Sequence, residues 1–238
     1  MSSVEPLVSG HTYFVDEKEA MIPSRLALKK KIKDIYPKLR FWQSEYSLLE
    51  KGYLEGREGS KSMSAMDCAL FLVKVIHHDL TVANATSWQF WSSFHPELHG
   101  GLPRFNLVTA KVNKGQLLAE PTKLLWAFGH FSRWIRPGMK RYDVKGFNPQ
   151  ESQHEGLMIS AYADEKMNKR VWVLINYLDE PREVMIKGDK STELDSYLTT
   201  EDAAQNMTFA GKKQLNKKIK LPSRSIMTLI TKMNKEKL

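Results

Sequence analysis

Apolar residues along the 238-residue chain follow two different rhythms, and the change between them falls a little past its middle. In the first stretch, short strand-like runs alternate with longer helical ones. SGHTYFV, residues 9 to 15, reads as a strand whose two-residue period puts His11 and Tyr13 on one face. Leu28, Ile32 and Ile35 then recur at i, i+4 and i+7. With Pro23 tolerated in a first helical turn, that spacing predicts a helix from Ser24 to Tyr36, ended by Pro37. Lys38 to Tyr46 mixes aromatic, aliphatic and small polar side chains without a helical period, which predicts an interior strand. A Gly-rich connection, EKGYLEGREGSK, leads to a strongly apolar helix over Ser64 to Leu80, and NATSWQFWSS predicts another strand over 84 to 93. FHPELHGGLPRFNLVTAKVNKGQL reads as a long loop with a hairpin around Asn106 to Val112, and LLWAFGHFSRWI as a helix that stops at Pro137-Gly138.

Alternating strand and helix is the grammar of parallel βα units, and three of them fit before Pro137. From Met139 the rhythm changes. MISAYA, RVWVLINYL, REVMIKG, ELDSYLTT, KKIKLP and SIMTLIT are short, β-rich and separated by polar or turn residues, as in an antiparallel sandwich. The expected fold is therefore α/β followed by β, with a boundary near Arg136 to Lys140 that divides the chain into residues 1–137 and 138–238.

Composition narrows the function classes. At 42% hydrophobic residues the chain can bury a substantial core, yet it contains no apolar run of the roughly 18 residues a spanning helix needs. MSSVEPLVSG has neither the basic nor the apolar region of a secretory signal, so the sequence does not specify a compartment. The single cysteine, Cys68, lies inside MDCALFLVKVI and reads as a small buried side chain, which leaves no disulfide framework and no cysteine metal site. A net charge of +9 raises the question of nucleic acid, but the excess sits in LALKKKIK, GKKQLNKKIK and the tail, as solvated faces rather than a binding stripe. His77 and His78 end an apolar helix and complement its carbonyl end rather than forming a metal site. Neither a metal nor an organic cofactor is expected.

The chemistry concentrates at strand ends. In a barrel of βα units the reacting groups sit at the carboxyl ends of the strands, and Glu45 closes the strand FWQSE there. Alternation puts Gln43 and Phe41 on its face. The neighbouring strand ends offer His11 and Tyr13 on one side and Gln89 and Trp91 on the other, a set of hydrogen-bonding groups and aromatic faces that suits a sugar ring. Taken alone, Glu45 could equally make a structural ion pair with Arg40 or Lys38.

SGHTYF, FWQSEYSLLE, CALFLVKVIHHDLTVANATSWQFW, LLWAFGHFSRWIRPGMKR and LPSRSIMTLIT together resemble the carboxyl-terminal portion of family 30 glycoside hydrolases, nearest to endo-β-1,6-galactanase-like members and more distantly to glucosylceramidases. The resemblance implies the last three βα units of a (β/α)8 TIM barrel, strands six to eight, followed by the family's antiparallel β-sandwich. It implies a retaining mechanism in which one glutamate attacks the anomeric carbon and a second carboxylic acid protonates the leaving oxygen. WQSEY matches the nucleophile motif, so the role falls on Glu45. His11 and Tyr13 match a substrate-side motif, Trp91 a sugar platform, and Gln89 or Trp88 its support. Glu50 is left as a loop charge.

The family's general acid stands in an Asn-Glu pair after the fourth barrel strand, and no Asn-Glu dipeptide occurs in these residues. The expectation is a fragment that carries the nucleophile without its acid, inactive alone and inclined to associate with a complementary amino-terminal barrel half. A polysaccharide or glycoconjugate is the expected substrate, with no nucleic-acid partner and no membrane span. Members of the family are commonly exported. The reading from another class is a non-catalytic carbohydrate-binding protein derived from the same family.

Overall fold

Ser64 shows how directly local chemistry sets the architecture. Its hydroxyl accepts the N–H of Asp67 while the Asp67 carboxylate accepts the N–H of Ser64, a reciprocal cap that fixes the start of a helix over Ala65–Thr81. In the computed structural model, which describes residues 6–13, 15–16, 18–48, 64–96, 105–146, 156–188 and 193–231, that helix (α2) follows β1 (Leu7–His11), α1 (Lys18–Ile35) and β2 (Arg40–Glu45) and precedes β3 (Ser87–Trp88). The three strands form a parallel sheet in the order β1-β2-β3. Phe41, Ala83 and Ala85 make a small buried cluster, with Leu28, Ile32 and Leu80 packed against it, so the apolar stripes of α1 and α2 meet the same face of β2.

Several boundaries differ from expectation. α1 begins at Lys18, six residues before Ser24, so Pro23 lies inside the helix rather than at its first turn. β1 ends at His11, leaving Tyr13 past the strand. The strand expected over 84 to 93 is reduced to Ser87–Trp88. Asn84 adopts a left-handed conformation (φ 62°), and the residues after Trp88 leave the ladder while still donating to β2 and its extension, Gln89 N–H to Gln43 and Trp91 N–H to Tyr46. The Gly-rich connection and Glu50 lie outside the described residues.

The described residues of the expected loop form strands. β4 (Phe94–Pro96) runs parallel to β5 (Val108–Asn113), which forms a hairpin with β6 (Gln116–Pro121). The hairpin turns on Lys114 and Gly115, both at positive φ (48° and 80°), the twist that matches right-handed strands.

Contacts divide the chain into two compact units, Met1–Leu125 and Trp126–Leu238, the division falling within α3 (Lys123–Ser132). The sequence grammar instead changes near Pro137. In the second unit, β7 (Lys140–Tyr142), β8 (Leu157–Asp164), β9 (Lys169–Asn176), β11 (Glu193–Thr199), β12 (Thr208–Gln214) and β14 (Ser225–Thr231) form an antiparallel sheet in the order β12-β11-β14-β9-β8-β7. β10 (Arg182–Val184) pairs with β13 (Ile219–Leu221). Leu174, Leu194, Met227 and Leu229 on one face of the larger sheet share a core with Ile219 and Leu221. The described residues form a mixed α/β fold that includes a six-stranded sheet. None of its described helices is long and apolar enough to cross a membrane.

The opposite face of that sheet is held by a histidine. β14 is buried at every position, and Thr228 and Thr199 point to the same side as the α3 residue His130. His130 Nδ1 lies 2.7 Å from Thr228 Oγ1 and Nε2 lies 2.8 Å from Thr199 Oγ1. Thr228 donates its hydroxyl proton to the His130 carbonyl (3.3 Å), so its oxygen is left to accept from Nδ1–H. Thr199 accepts the Met207 N–H (2.8 Å) and donates to Nε2. A neutral ring protonated on Nδ1 satisfies all of these bonds.

Burial lowers the His130 pKa from 6.5 to about 3. Between those values the unfolded chain binds a proton that the native one does not, so stability is fully present above pH 6.5 and is lost as the pH falls toward 3. The urea midpoint of the second unit should therefore drop through that window by the equivalent of a few kcal/mol. His130→Gln should flatten the pH dependence, and equal slopes for the two proteins would contradict the assignment.

Candidate active site

The carboxyl end of β2 carries a bulge. Gly10 pairs with Gln43 and His11 pairs with Glu45, so Ser44 is an extra residue on β2, and its hydroxyl donates to the Gly10 carbonyl at 3.3 Å. An insertion of this kind re-aims the side chains beyond it. Phe41 and Gln43 alternate into the buried face as expected, but Glu45 does not join them: its side chain is 39% exposed. The expectation of one face for Phe41, Gln43 and Glu45 fails at this bulge.

Glu45 faces His11, with Oε1 3.8 Å from Nδ1. Arg40 stands at the far end of the same six-residue strand, some 16 Å away at about 3.3 Å per residue, and is not its partner. The His11 ring meets Tyr13 edge-on at 5.8 Å, Tyr13 stacks on Tyr46 at 5.6 Å, and Tyr46 tilts against Trp88 at 5.8 Å. An aromatic wall thus runs from β1 across β2 to β3. The Tyr46 hydroxyl is anchored by donation to Asp16 at 2.7 Å. Gln89 and Trp91 are held by their backbone bonds to Gln43 and Tyr46, and both side chains are exposed, Trp91 to 47%. The structure therefore gathers His11, Tyr13 and Glu45 directly and sets Gln89 and Trp91 on the adjoining strand end.

Beneath this surface lies a buried polar network that inspection of the sequence passes over. Asp79, fully buried near the carboxyl end of α2, receives Arg25 Nε on Oδ1 at 2.6 Å, and Trp88 Nε1 (2.7 Å) and the Thr12 hydroxyl (3.3 Å) on Oδ2. Gln43 donates to Thr12 Oγ1 at 2.7 Å, and the Glu45 N–H donates to Gln43 Oε1 at 3.1 Å. Burial pushes the Asp79 carboxyl above the ordinary aspartate value, while the Arg25 charge and the three donors pull it back. The available signal in the sequence is a single acid in the apolar run CALFLVKVIHHDL, since an acid inside such a helix has to be paired. Of the two histidines in that run, His78 bonds the Lys74 carbonyl of its own helix at 2.7 Å. The described residues contain no group of three or more metal-ligating side chains.

Residues 1–99 match the family profile described as O-Glycosyl hydrolase family 30. Among solved structures, a conserved exported protein from Bacteroides fragilis is similar at 28% identity, with a TM-score of 0.81 over 96% of this chain and 46% of that one. A family 30 endoxylanase from Clostridium papyrosolvens is similar at 19% identity (TM-score 0.62, 95% of this chain and 48% of that one). A family 30 xylanase from Clostridium acetobutylicum is similar at 20% identity (TM-score 0.62, again 95% and 48%). No curated protein matches. The chain thus spans about half the length of these structures, and the matches support a relationship to glycoside hydrolase family 30.

The buried pair yields a stability prediction. Arg25→Met leaves the Asp79 carboxylate buried without its cation and should destabilise the first unit by about 3–5 kcal/mol in urea titrations. The double change Arg25→Met with Asp79→Leu should recover part of that loss. A single variant as stable as the parent would show that the pair contributes nothing.

Proposed function

We propose that the chain is the carboxyl-terminal part of a retaining family 30 glycoside hydrolase, with Glu45 as its nucleophile. The observation that carries this reading is the bulged end of β2, where Glu45 stands half-exposed beside His11 and an aromatic wall within the residues that match the family. In this reading the first unit contributes the last three βα units of a (β/α)8 barrel and the second the C-terminal β-sandwich. The substrate is an O-glycosidic polymer, β-1,6-galactan by the resemblance of the motifs, with Trp91 as a platform for a sugar face.

The chemistry follows from the geometry. A Glu45 oxygen attacks the anomeric carbon, a C–O bond to the enzyme forms, and the glycosidic C–O bond breaks with its electron pair leaving on the departing oxygen. His11, positioned at the attacking carboxylate, orients it, and Tyr13 backs the imidazole. The departing alkoxide needs a proton from a second carboxyl about 5–5.5 Å from the first. The family places that acid in an Asn-Glu pair absent from these 238 residues, so it is assigned to a complementary barrel half.

The same absence, together with an exposed Trp91, favours one second reading: a carbohydrate-binding protein that retains the platform without turnover.

The purified chain should release no reducing sugar from β-1,6-galactan. Supplied with an amino-terminal barrel half, it should be labelled by 2,4-dinitrophenyl 2-deoxy-2-fluoro-β-glycosides, galactosyl first, because dinitrophenolate departs without a proton and the fluorine slows hydrolysis of the adduct. Peptide mapping should find one sugar on Glu45, and Glu45→Gln should abolish it. Label on another carboxylate would refute the assignment, Glu45-dependent turnover by the chain alone would refute the missing acid, and glycan binding without labelling would favour the second reading.

A further inference from the structure

We infer that Asp79 is a positioning residue for Glu45, acting through Thr12 and Gln43 on the backbone of the bulge. The inference rests on the reading of Glu45 as the nucleophile. Four donors point one way along this path: the Glu45 N–H to Gln43 Oε1, Gln43 Nε2–H to Thr12 Oγ1, the Thr12 O–H to Asp79 Oδ2, and Trp88 Nε1–H to the same Oδ2. The direction matters because a primary amide can present either its oxygen or its nitrogen. Thr12, with its proton committed to Asp79, offers Gln43 only a lone pair, so the amide nitrogen turns to Thr12 and its oxygen turns to the Glu45 N–H.

The far end of the path cannot drift. Arg25 holds the other Asp79 oxygen at 2.6 Å and is itself fixed by donation to the carbonyls of Val15 and Met21, both at 2.9 Å. Thr12, Gln43, Asp79 and Arg25 are all buried, so water does not compete for these bonds. The fixed end therefore includes α1 and α2, while the held end is the one bulged residue step from which the carboxylate projects. The same carboxylate grips the Trp88 indole, so the ends of β2 and β3 share one anchor.

The test compares Thr12→Val, which removes the hydroxyl at nearly constant shape, with Thr12→Ser, which restores it. In the full chain, hydrogen exchange at the Glu45 amide should accelerate about tenfold in Thr12→Val, the factor equivalent to one net hydrogen bond. Amides of β9 and β14 should keep their rates, and Thr12→Ser should return the Glu45 amide to its parent rate. With the barrel half supplied, the limiting rate of labelling by the fluoroglycoside should fall by about 10² in Thr12→Val, the cost of a misplacement near 1 Å, with the half-saturating concentration unchanged. Asp79→Asn, which keeps the shape and an acceptor oxygen but loses the charge, gives a second route to the same readouts should Thr12→Val not fold. An unchanged Glu45 amide, or a serine variant that fails to restore it, overturns the positioning role. A parent protein that is never labelled overturns the nucleophile reading instead, and the two failures are distinct.

Discussion

A fully buried carboxylate that accepts from three side chains organises the first unit. Asp79 binds Arg25 from α1, Thr12 from the end of β1 and Trp88 from β3, and it stands on α2 itself. Removing such a charge from water costs several kcal/mol, which only well-placed donors and an opposite charge offset. The network therefore acts less as a source of stability than as a constraint. Any packing that separates α1, α2, β1 or β3 strands a buried ion, so one arrangement of these elements is favoured over its near neighbours.

The second unit solves its own problem with neutral groups. A central strand buried on both faces needs partners on both, and β14 finds leucines on one side and His130 on the other. Thr228 has given its proton to a carbonyl and so accepts from Nδ1–H, while burial keeps the ring neutral and leaves Nε2 to accept from the Thr199 hydroxyl. Where the first unit spends a charge on specificity, the second uses a ring that burial keeps uncharged down to about pH 3.

Legibility in the sequence tracked how local each cause is. α2 could be read because its apolar run and its Ser64 to Asp67 cap lie within one window. In the large sheet β8, β9, β11 and β14 were readable from their short, turn-bounded runs, whereas β7 and β12, short or rich in polar residues, were not, and the strand that Glu45 closes was readable from its aperiodic mix of side chains. What escaped is the product of single residues or distant pairs. Ser44 makes a bulge without any compositional mark. The short β3 reflects a left-handed Asn84 and a departure from the ladder that no period encodes. Thr12 and Arg25 reach Asp79 across 67 and 54 residues, and nothing in either segment names the other.

These causes converge at the site. Glu45 is partly exposed beside His11, yet a carboxylate at the end of an interior strand would by simple alternation follow Phe41 and Gln43 into the helix-facing core. The bulge resolves the conflict by breaking the alternation after Gln43, and it does so at a cost, because an irregular backbone step has lost ladder bonds that would otherwise hold it. Gln43 answers that loss. Its amide replaces a missing ladder acceptor for the Glu45 N–H and passes the restraint to groups that are buried and fixed. A residue that projects from an irregular backbone step is placed as firmly as the groups beneath it, and in this chain the depth of that support, from Gln43 through Thr12 to a paired carboxylate, marks the end of β2 as the point the unit is built to hold still.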